Sequence, residues 1–309
     1  QTGAGLIIGI DVGTTNSACA IYRNGEVEMV PNSLGHVLTP SAVSIDGDRV
    51  KTGLAARERQ STHPDHTVTA FKRLMGVNHT TRLGKFSFSP EELSGLVLRS
   101  IKADAEAYLG EPVTEAVVTV PAYFNDKQRK ATKRAGELAG LKVERLINEP
   151  TAAALAYGLH QRDQETQFLV FDLGGGTFDV SILEIFSGVI EVRATAGDNR
   201  LGGEDFNELL VRLARQRFES QLGPAAKGAN TLYQRLREAA ERARRTLSEA
   251  PMAKLAFVWD DKSYEMEITA EQFETECAGL IANLRDPVLR SLRDSGIAAD
   301  KLAEIVLVG

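Results

Sequence analysis

The segment IIGIDVGTTNSACAI at residues 7–21 recurs in altered form at residues 168–183 as FLVFDLGGGTFDVSIL. The two copies align Asp11 with Asp172 and Gly13 with Gly174. In each copy an apolar run ends in one Asp, a turn of small residues follows, and a second apolar run returns, which is typical of a β-hairpin. Because a repeated supersecondary unit indicates a repeated architecture, the chain is predicted to contain two related lobes.

The composition of the two turns favours phosphate binding. Gly, Thr and Ser permit a tight turn whose backbone N–H groups point inwards and form a concave nest for anions. The Asp that ends the preceding strand supplies hard oxygen, which Mg²⁺ takes together with water and phosphate oxygens. Either hairpin alone is equally well interpreted as an ordinary structural turn. Two hairpins with Asp in register predict a site that holds a polyphosphate and its Mg²⁺ from both sides.

The composition excludes several other classes of protein. With 43% hydrophobic and 25% charged residues, the 309-residue chain has the make-up of a globular protein of two domains. A formal net charge of −6 argues against a nucleic-acid surface. No apolar run predicts a membrane span or a signal peptide. We therefore expect a cytoplasmic location and no membrane partner, and the net charge gives no reason to expect a nucleic-acid partner. Cys19 and Cys277 are predicted to be core thiols, and His63 and His66 are not expected to bind metal.

Local signals predict several elements. A helix over residues 90–109 begins after Ser89, with Pro at its first position and acids in its first turn. A second helix, over about residues 126–140, is capped by Asn125 and Gln128. The polar stretch of residues 160–167 is predicted to be the hinge between the lobes.

Other candidate residues have two interpretations each. Lys72 follows an apolar Phe71 and is either a functional amine or a solvated surface lysine. Glu149 begins a helix, where the helix dipole favours an acid whatever the function. Four residues share one side of a predicted helix, which is either a solvated face or a place where guanidinium planes stack on a heteroaromatic ring: Glu241, Arg244, Arg245 and Ser248. The sequence contains neither a P-loop string nor a G-x-G-x-x-G string.

Seven strings in chain order closely resemble the nucleotide-binding domain of DnaK-type heat-shock protein 70 chaperones: IGIDVGTTNS, VPAYFND, INEPTAAALAYG, VFDLGGGTFDVS, AGDNRLGGEDF, ERARRTL and IVLVG. The resemblance implies an α/β, actin-like ATPase fold of two duplicated lobes. Each lobe has a core β-sheet flanked by helices and a smaller outer subdomain, with a nucleotide cleft between the lobes. The expected boundaries are 1–162 for lobe I (core 1–39 and 91–162, outer subdomain 40–90) and 163–309 for lobe II (core 163–201 and 278–309, outer subdomain 202–277).

The resemblance also implies ATP and ADP as cofactors with Mg²⁺, slow hydrolysis of ATP to ADP and phosphate, and a role for each matching residue. Mg²⁺ is held largely through water by Asp11, Glu149 and Asp172. Lys72 orients the attacking water and the γ-phosphate, and Thr177 and Asp179 complete the catalytic set. The nucleotide-binding residues are Gly13, Thr14, Thr15, Asn16, Gly174, Gly175, Gly176, Thr177, Gly202 and Gly203, with Glu241, Arg244, Arg245 and Ser248 lining the adenine pocket. Pro121 and Arg129 resemble a switch that relays nucleotide state to a peptide-binding domain.

Three features depart from most members of that family. Only a dozen residues separate Gly76 from Ser89, and the segment between Ser248 and Ile268 is one compact hairpin. Both shortenings resemble the HscC branch, as do the strings THPDHT and FKRLMG. The Gly-rich turn and the peptide-binding domain that the family has after Gly309 are missing, so we expect a C-terminally truncated chaperone. The implied partners are a J-domain co-chaperone and client peptides, whereas the compact hairpin argues against a nucleotide-exchange factor.

Two other classes share the hairpins. An actin-like filament-forming ATPase would lack VPAYFND, INEPTAAA and the arginine-bearing helix. A sugar kinase of the same superfamily would need a catalytic Asp and a sugar-shaped cleft beside the first hairpin.

Overall fold

The computed structural model describes residues 6–159, 165–222 and 229–309. The strands are β1 (Ile7–Val12), β2 (Asn16–Arg23), β3 (Glu26–Met29), β4 (Leu38–Pro40), β5 (Ala42–Asp46), β6 (Arg49–Thr52), β7 (Thr67–Thr69), β8 (Thr81–Leu83), β9 (Phe86–Phe88), β10 (Glu115–Val120), β11 (Lys142–Asn148), β12 (Thr166–Leu173), β13 (Phe178–Phe186), β14 (Val189–Asp198), β15 (Met252–Trp259), β16 (Lys262–Thr269) and β17 (Glu304–Val308). The α-helices are α1 (Leu54–Arg57), α2 (Pro90–Leu109), α3 (Asp126–Leu138), α4 (Glu149–Ala156), α5 (Gly203–Leu222), α6 (Ala229–Leu247), α7 (Ala270–Asn283) and α8 (Arg285–Ser295). The fold is therefore mixed α/β with several sheets.

The first large sheet has the order β11-β10-β1-β2-β3, and β4 also pairs with β2. Strands β1, β10 and β11 are parallel, whereas β2 and β3 are antiparallel neighbours. Asn24 and Gly25 join β2 to β3 with positive φ angles of 54° and 87°, which a two-residue primed turn requires. Alternate residues of β1 and β10 are buried in one core with apolar residues of α2 and α3, so this sheet rigidly positions Asp11 at the end of β1.

The second large sheet has the order β14-β13-β12-β17 and is buried on both faces. Apolar residues of α7 and α8 pack on one face. On the other face, Ala154 of α4 packs with Phe168 and Val170 of β12. Helix α4 follows directly after β11 of the first sheet and packs on the second. Its first residue, Glu149, is thereby held between the two sheets.

Smaller elements lie beside each large sheet. Strands β6, β5 and β7 form a three-stranded sheet next to α1, and the short segment between Gly76 and Ser89 contains the β8–β9 hairpin. In the second half, α5 and α6 enclose a core with the β15–β16 hairpin, as Leu236 and Leu255 illustrate.

Several local predictions are confirmed. Helix α2 begins after a capping box of Ser89 and Glu92, and α3 begins after a capping box of Asn125 and Gln128. Helix α3 ends at Leu138, two residues before the predicted end. Cys19 and Cys277 are buried free thiols. Of the predicted hinge, residues 160–164 lie outside the described residues, and 166–167 form the start of β12 rather than a linker. None of the described helices is long and apolar enough to cross a bilayer.

Candidate functional site

The two predicted hairpins are confirmed and have the same register. Asp11 lies opposite Ala18 across β1–β2, and Asp172 lies opposite Asp179 across β12–β13. The two turns contact each other, because a β-carbon added at Gly175 would overlap the Thr15 side chain. The sequence repeat is thus brought together as two hairpin turns facing each other, each preceded by an acid.

Five backbone amides of the two turns are free, whereas the Gly174 amide donates to the Thr177 carbonyl at 3.0 Å. Across residues 6–159, 165–222 and 229–309, the amides of Thr14, Thr15, Gly175, Gly176 and Thr177 make no hydrogen bond to protein. Orphaned amides that converge at touching turns form the kind of nest that binds anions. The geometry therefore agrees with the phosphate site expected from the turn composition.

The carbonyls of the second turn are engaged by neighbouring elements. Gly203 N–H donates to the Gly174 carbonyl at 2.9 Å, and Glu204 N–H donates to the Gly175 carbonyl at 2.8 Å. A β-carbon at Gly202 would lie 2.6 Å from the Gly176 nitrogen, so this close approach requires glycine. The start of α5 therefore holds the turn by its acceptors and leaves its donors available.

Ser41 holds the first turn, a role that the sequence did not reveal. Its amide donates to the Thr15 carbonyl at 2.9 Å, and its hydroxyl donates to the Gly13 carbonyl at 2.8 Å. Ser17 Oγ lies 2.8 Å from Ser41 Oγ. Since Ser41 gives its one hydroxyl proton to Gly13, Ser17 must be the donor in that pair. Both serines are buried, so this series of hydrogen bonds holds the backbone of the first turn in place.

Acidic residues and one lysine converge beneath the turns. Lys72 Nζ lies 2.6 Å from Glu149 Oε1, with side chains only 12% and 18% exposed. Asp11 Oδ1 accepts a hydrogen bond of 2.6 Å from Thr119 Oγ1. Lys72 lies in the 3₁₀ turn Phe71–Leu74 and Glu149 begins α4, so distant parts of the chain meet here. The interpretation of Lys72 as a solvated surface residue is therefore wrong.

The charges of the cluster shift one another's pKa values. Burial, reinforced by the neighbouring Glu149, raises the pKa of Asp172 to about 6, and burial with Asp172 raises the pKa of Asp179 to about 7. Burial also raises the pKa of Glu149 above its usual range, although Lys72 opposes this. Burial alone would lower the pKa of Lys72, but Glu149, Asp11 and Asp172 outweigh it and raise that pKa.

The donor set fits a hydrated Mg²⁺. Four carboxylates, from Asp11, Glu149, Asp172 and Asp179, influence one ammonium group, so the cluster has excess negative charge. Within the described part of the chain, no three His, Cys, Asp or Glu side chains are close enough to hold a metal directly. A cation held through several waters needs no such direct triad. The chemistry of the donor set is thus compatible with a Mg²⁺ ion that is bound through water.

The expected adenine residues fall into two groups. Arg244 Nε donates to Asn207 Oδ1 at 2.8 Å, and its guanidinium lies 3.6 Å from where a β-carbon of Gly203 would be. Glu241 pairs with Arg57 and, at 3.0 Å, with Arg245. Arg245 and Ser248 are exposed. Arg244 is thus brought next to the second hairpin, whereas Glu241 joins α6 to α1.

Arg129 joins the segment after β10 to the segment before α4. It donates to the carbonyl of Phe124 at 2.9 Å and to Asn148 Oδ1 at 2.8 Å. Arg129 is half-buried, whereas the other basic residues of α3, namely Lys127, Lys130, Lys133 and Arg134, are exposed. Pro121 and Glu149 border a cavity of about 10 Å³, roughly the space for one water.

A larger cavity of about 320 Å³ opens above the turns. Thr14, Thr15 and Gly176 of the two turns belong to its lining, together with residues of α1, α5 and α6 and of the segments 40–42, 60 and 69–73. Elements that are distant in sequence thus form the walls of one cleft that the two turns also border.

Comparison with models of known protein families shows which family the chain belongs to. The family model described as Hsp70 protein matches residues 7–83 and 77–309. The chain therefore belongs to the Hsp70 family. Membership implies the actin-like ATPase fold, with which the mixed α/β architecture agrees, and the family's members are chaperone ATPases that bind ATP or ADP with Mg²⁺ and work with co-chaperones and clients.

Proposed function

We propose that this chain binds Mg-ATP at the two facing hairpins and hydrolyses it slowly, as the ATPase module of a molecular chaperone. The free amides of the two touching turns carry the proposal, because they form an anion nest directly above a carboxylate cluster. In that cluster, Asp11, Glu149 and Asp172 would hold Mg²⁺ through water. The bound ion would supply the positive charge that neutralises the phosphate oxygens.

The chain's own residues would position the reaction rather than take part covalently. Phosphoryl transfer to water depends mainly on orientation and on stabilisation of charge. Gly13, Thr14, Thr15 and Asn16 would bind phosphate from one lobe, and residues 174–177 from the other. Lys72, fixed by Glu149, would orient water and stabilise charge on the transferred group. Asp179 has a pKa near neutrality and would accept a proton from that water.

The remaining assignments concern the base and the coupling. Arg244, beside Gly203, would stack on adenine, with Glu241, Arg245 and Ser248 around the nucleoside and Gly202 supporting the second turn.

Pro121 and Arg129 would relay nucleotide state to the peptide-binding part of the chaperone, since Arg129 contacts the residue before Glu149. The two lobes would divide near residues 162–163. The short β8–β9 and β15–β16 hairpins support a place in the HscC branch, with a J-domain partner and no DnaK-type exchange factor.

The function is tested by phosphate release in single-turnover assays with Mg-ATP, with and without EDTA. Lys72→Ala should reduce the hydrolysis rate by about 10²–10³ while nucleotide affinity changes much less, because many amides share the binding. Lys130→Ala, on the exposed face of α3, is the matched control and should hydrolyse ATP at the parent rate. A folded parent protein that releases no phosphate with Mg-ATP would refute the proposal.

A further inference from the structure

Arg73 follows Lys72, but the two side chains point to different partners. Lys72 pairs with Glu149, whereas an Arg73 Nη2 group donates to the carbonyl of Gly176 in the second turn. The preceding Ala70 has a left-handed backbone with φ 57° and ψ 20°, which is uncommon for a residue with a side chain. Such strain clusters at functional sites, where the surrounding structure maintains it. Here it sets the direction of the turn that carries both cations.

Arg73 differs from the other cations of the large cavity in having no carboxylate partner. Arg57 pairs with Glu241, and Arg237 binds Glu204 through contacts of 2.6 and 2.9 Å. Among the described residues, Arg73 donates only to a backbone carbonyl. A guanidinium remains charged at any physiological pH. Of the three cations that line the cavity, Arg73 is therefore the one whose guanidinium is not paired with a carboxylate among the described residues.

The guanidinium of Arg73 lies against the second turn. A β-carbon at Gly176 would lie 2.6–2.9 Å from its Nη2, Nε and Cζ atoms, so the group is in close contact with that glycine. Arg73 also lines the cavity together with Thr14 and Thr15 of the first turn. Its remaining N–H groups are available to a ligand in the nest. Guanidinium groups bind phosphate through two parallel hydrogen bonds.

Arg244 and Arg73 contact the second turn in different surroundings. Arg244 lies beside Gly203, which bonds to Gly174, whereas Arg73 bonds to Gly176 and lines the cavity, which Arg244 does not line. A nucleotide whose base contacts Arg244 and whose phosphates occupy the amide nest would therefore reach Arg73 with its phosphate end.

We infer that Arg73 binds the terminal phosphate of a nucleoside triphosphate and thereby lets the site distinguish ATP from ADP. The inference rests on the proposed function, because it assumes that the nest binds nucleotide. The γ-phosphate of the triphosphate adds negative charge beside Arg73, and ADP lacks this group. Arg73 therefore acts as a specificity-determining residue, separate from the ammonium of Lys72.

The test is calorimetric titration of the parent protein and of Arg73→Gln with Mg-ADP and with the Mg complex of the non-hydrolysable triphosphate adenylyl imidodiphosphate. The variant should lose about 10- to 100-fold in affinity for the triphosphate, the effect of one charged hydrogen-bonded group, and about threefold or less for ADP. Arg73→Lys, which keeps the charge but not the planar fork, should show a smaller loss. Circular dichroism melts confirm that each variant is folded.

The matched control is Arg82→Gln. Arg82 is also exposed and also donates to a backbone carbonyl, that of Gly84 at 3.0 Å, but it lies on β8 away from the turns. It should change neither affinity. Equal weakening of both nucleotides by Arg73→Gln would show a contact that only holds the turns together and would overturn the inference, as would an unchanged ratio of affinities. A parent protein that binds neither nucleotide would overturn the proposed function itself.

Discussion

Replacing Lys72 by Met should strongly destabilise the nucleotide-free protein at pH 8. The substitution removes the cation whose Nζ lies 2.6 Å from Glu149 Oε1 while leaving the side-chain volume almost unchanged. With side-chain exposures of 12% and 18%, water barely screens the pair. Removing one partner of a buried ion pair leaves the other charge uncompensated, at a cost of about 3–5 kcal/mol. We therefore expect a loss in that range at pH 8, where the neighbouring acids are ionised.

The loss should become smaller as pH falls. Burial and mutual repulsion raise the pKa of Asp172 to about 6 and that of Asp179 to about 7. Between their ordinary pKa values and these raised values, the folded state binds more protons than the unfolded state, so stability falls as pH rises through this interval. The raised pKa of Lys72 lies above this interval, so Lys72 stays charged throughout. At pH 5 Asp172 and Asp179 are largely neutral, so the cluster needs the Lys72 ammonium less.

Urea unfolding of the nucleotide-free protein at pH 8 and pH 5 measures both effects. The double variant Lys72→Met with Glu149→Gln should recover much of the free energy of unfolding that Lys72→Met loses, because Glu149 then leaves no unpaired charge. The control is Lys254→Met, which removes one partner of the Lys254–Glu265 pair of 2.8 Å, whose side chains are 58% and 53% exposed, and should change stability little. The reasoning is refuted if Lys72→Met at pH 8 loses no more than this control, or if its loss is the same at pH 5.

Three further outcomes follow from particular contacts. Asp179→Asn removes a carboxylate of pKa about 7 that lies opposite Asp172, so urea titrations should show higher stability than the parent at pH 8 and little difference at pH 5. Arg57→Gln breaks the ion pair with Glu241, which joins α1 to α6 across the cavity and is expected to help keep the cleft closed. Stopped-flow release of a fluorescent ADP should accelerate by about fivefold or more, because loss of about 1 kcal/mol implies such a change. An unchanged release rate would contradict this role. Ser89→Ala removes the side-chain acceptor of the α2 capping box and should cost about 1 kcal/mol in urea unfolding.

Local chemistry explains which parts of the fold could be predicted. The start of α2 follows from Ser89, Pro90 and Glu92, because a capping box is made within one turn of backbone. The turn at Asn24 and Gly25 follows from the backbone angles those residues tolerate. Helix α3 ends at Leu138, two residues before the predicted end, because Gly140 with its left-handed φ of 79° closes the helix through the bonds Gly140 N–H to Glu137 C=O and Leu141 N–H to Gly136 C=O, both 2.9 Å.

Predictions for the site succeeded where a motif carried the chemistry within a few residues. The two turns and their acids, Asp11 and Asp172, are contiguous strings with an interpretable composition. Ser41 and Arg73 were not found, because their roles depend on the Gly13 and Gly176 carbonyls, which are remote in sequence. The hydrogen bonds of Arg129 could not be predicted for the same reason, since they reach the loop after β10 and the last residue of β11.

The sequence by itself determined the repeated hairpin, its free-amide turns and the residue types around them, because each is a property of a short segment. Only the tertiary structure decided that Thr15 meets Gly175, that Lys72 is buried against Glu149, and that Arg73 contacts the Gly176 carbonyl rather than a carboxylate of the described residues. These relations follow from how α4 connects the first sheet to the second and so sets the distance between the two turns. Charge compensation depends on distances in space, and the packing of the two sheets fixes those distances.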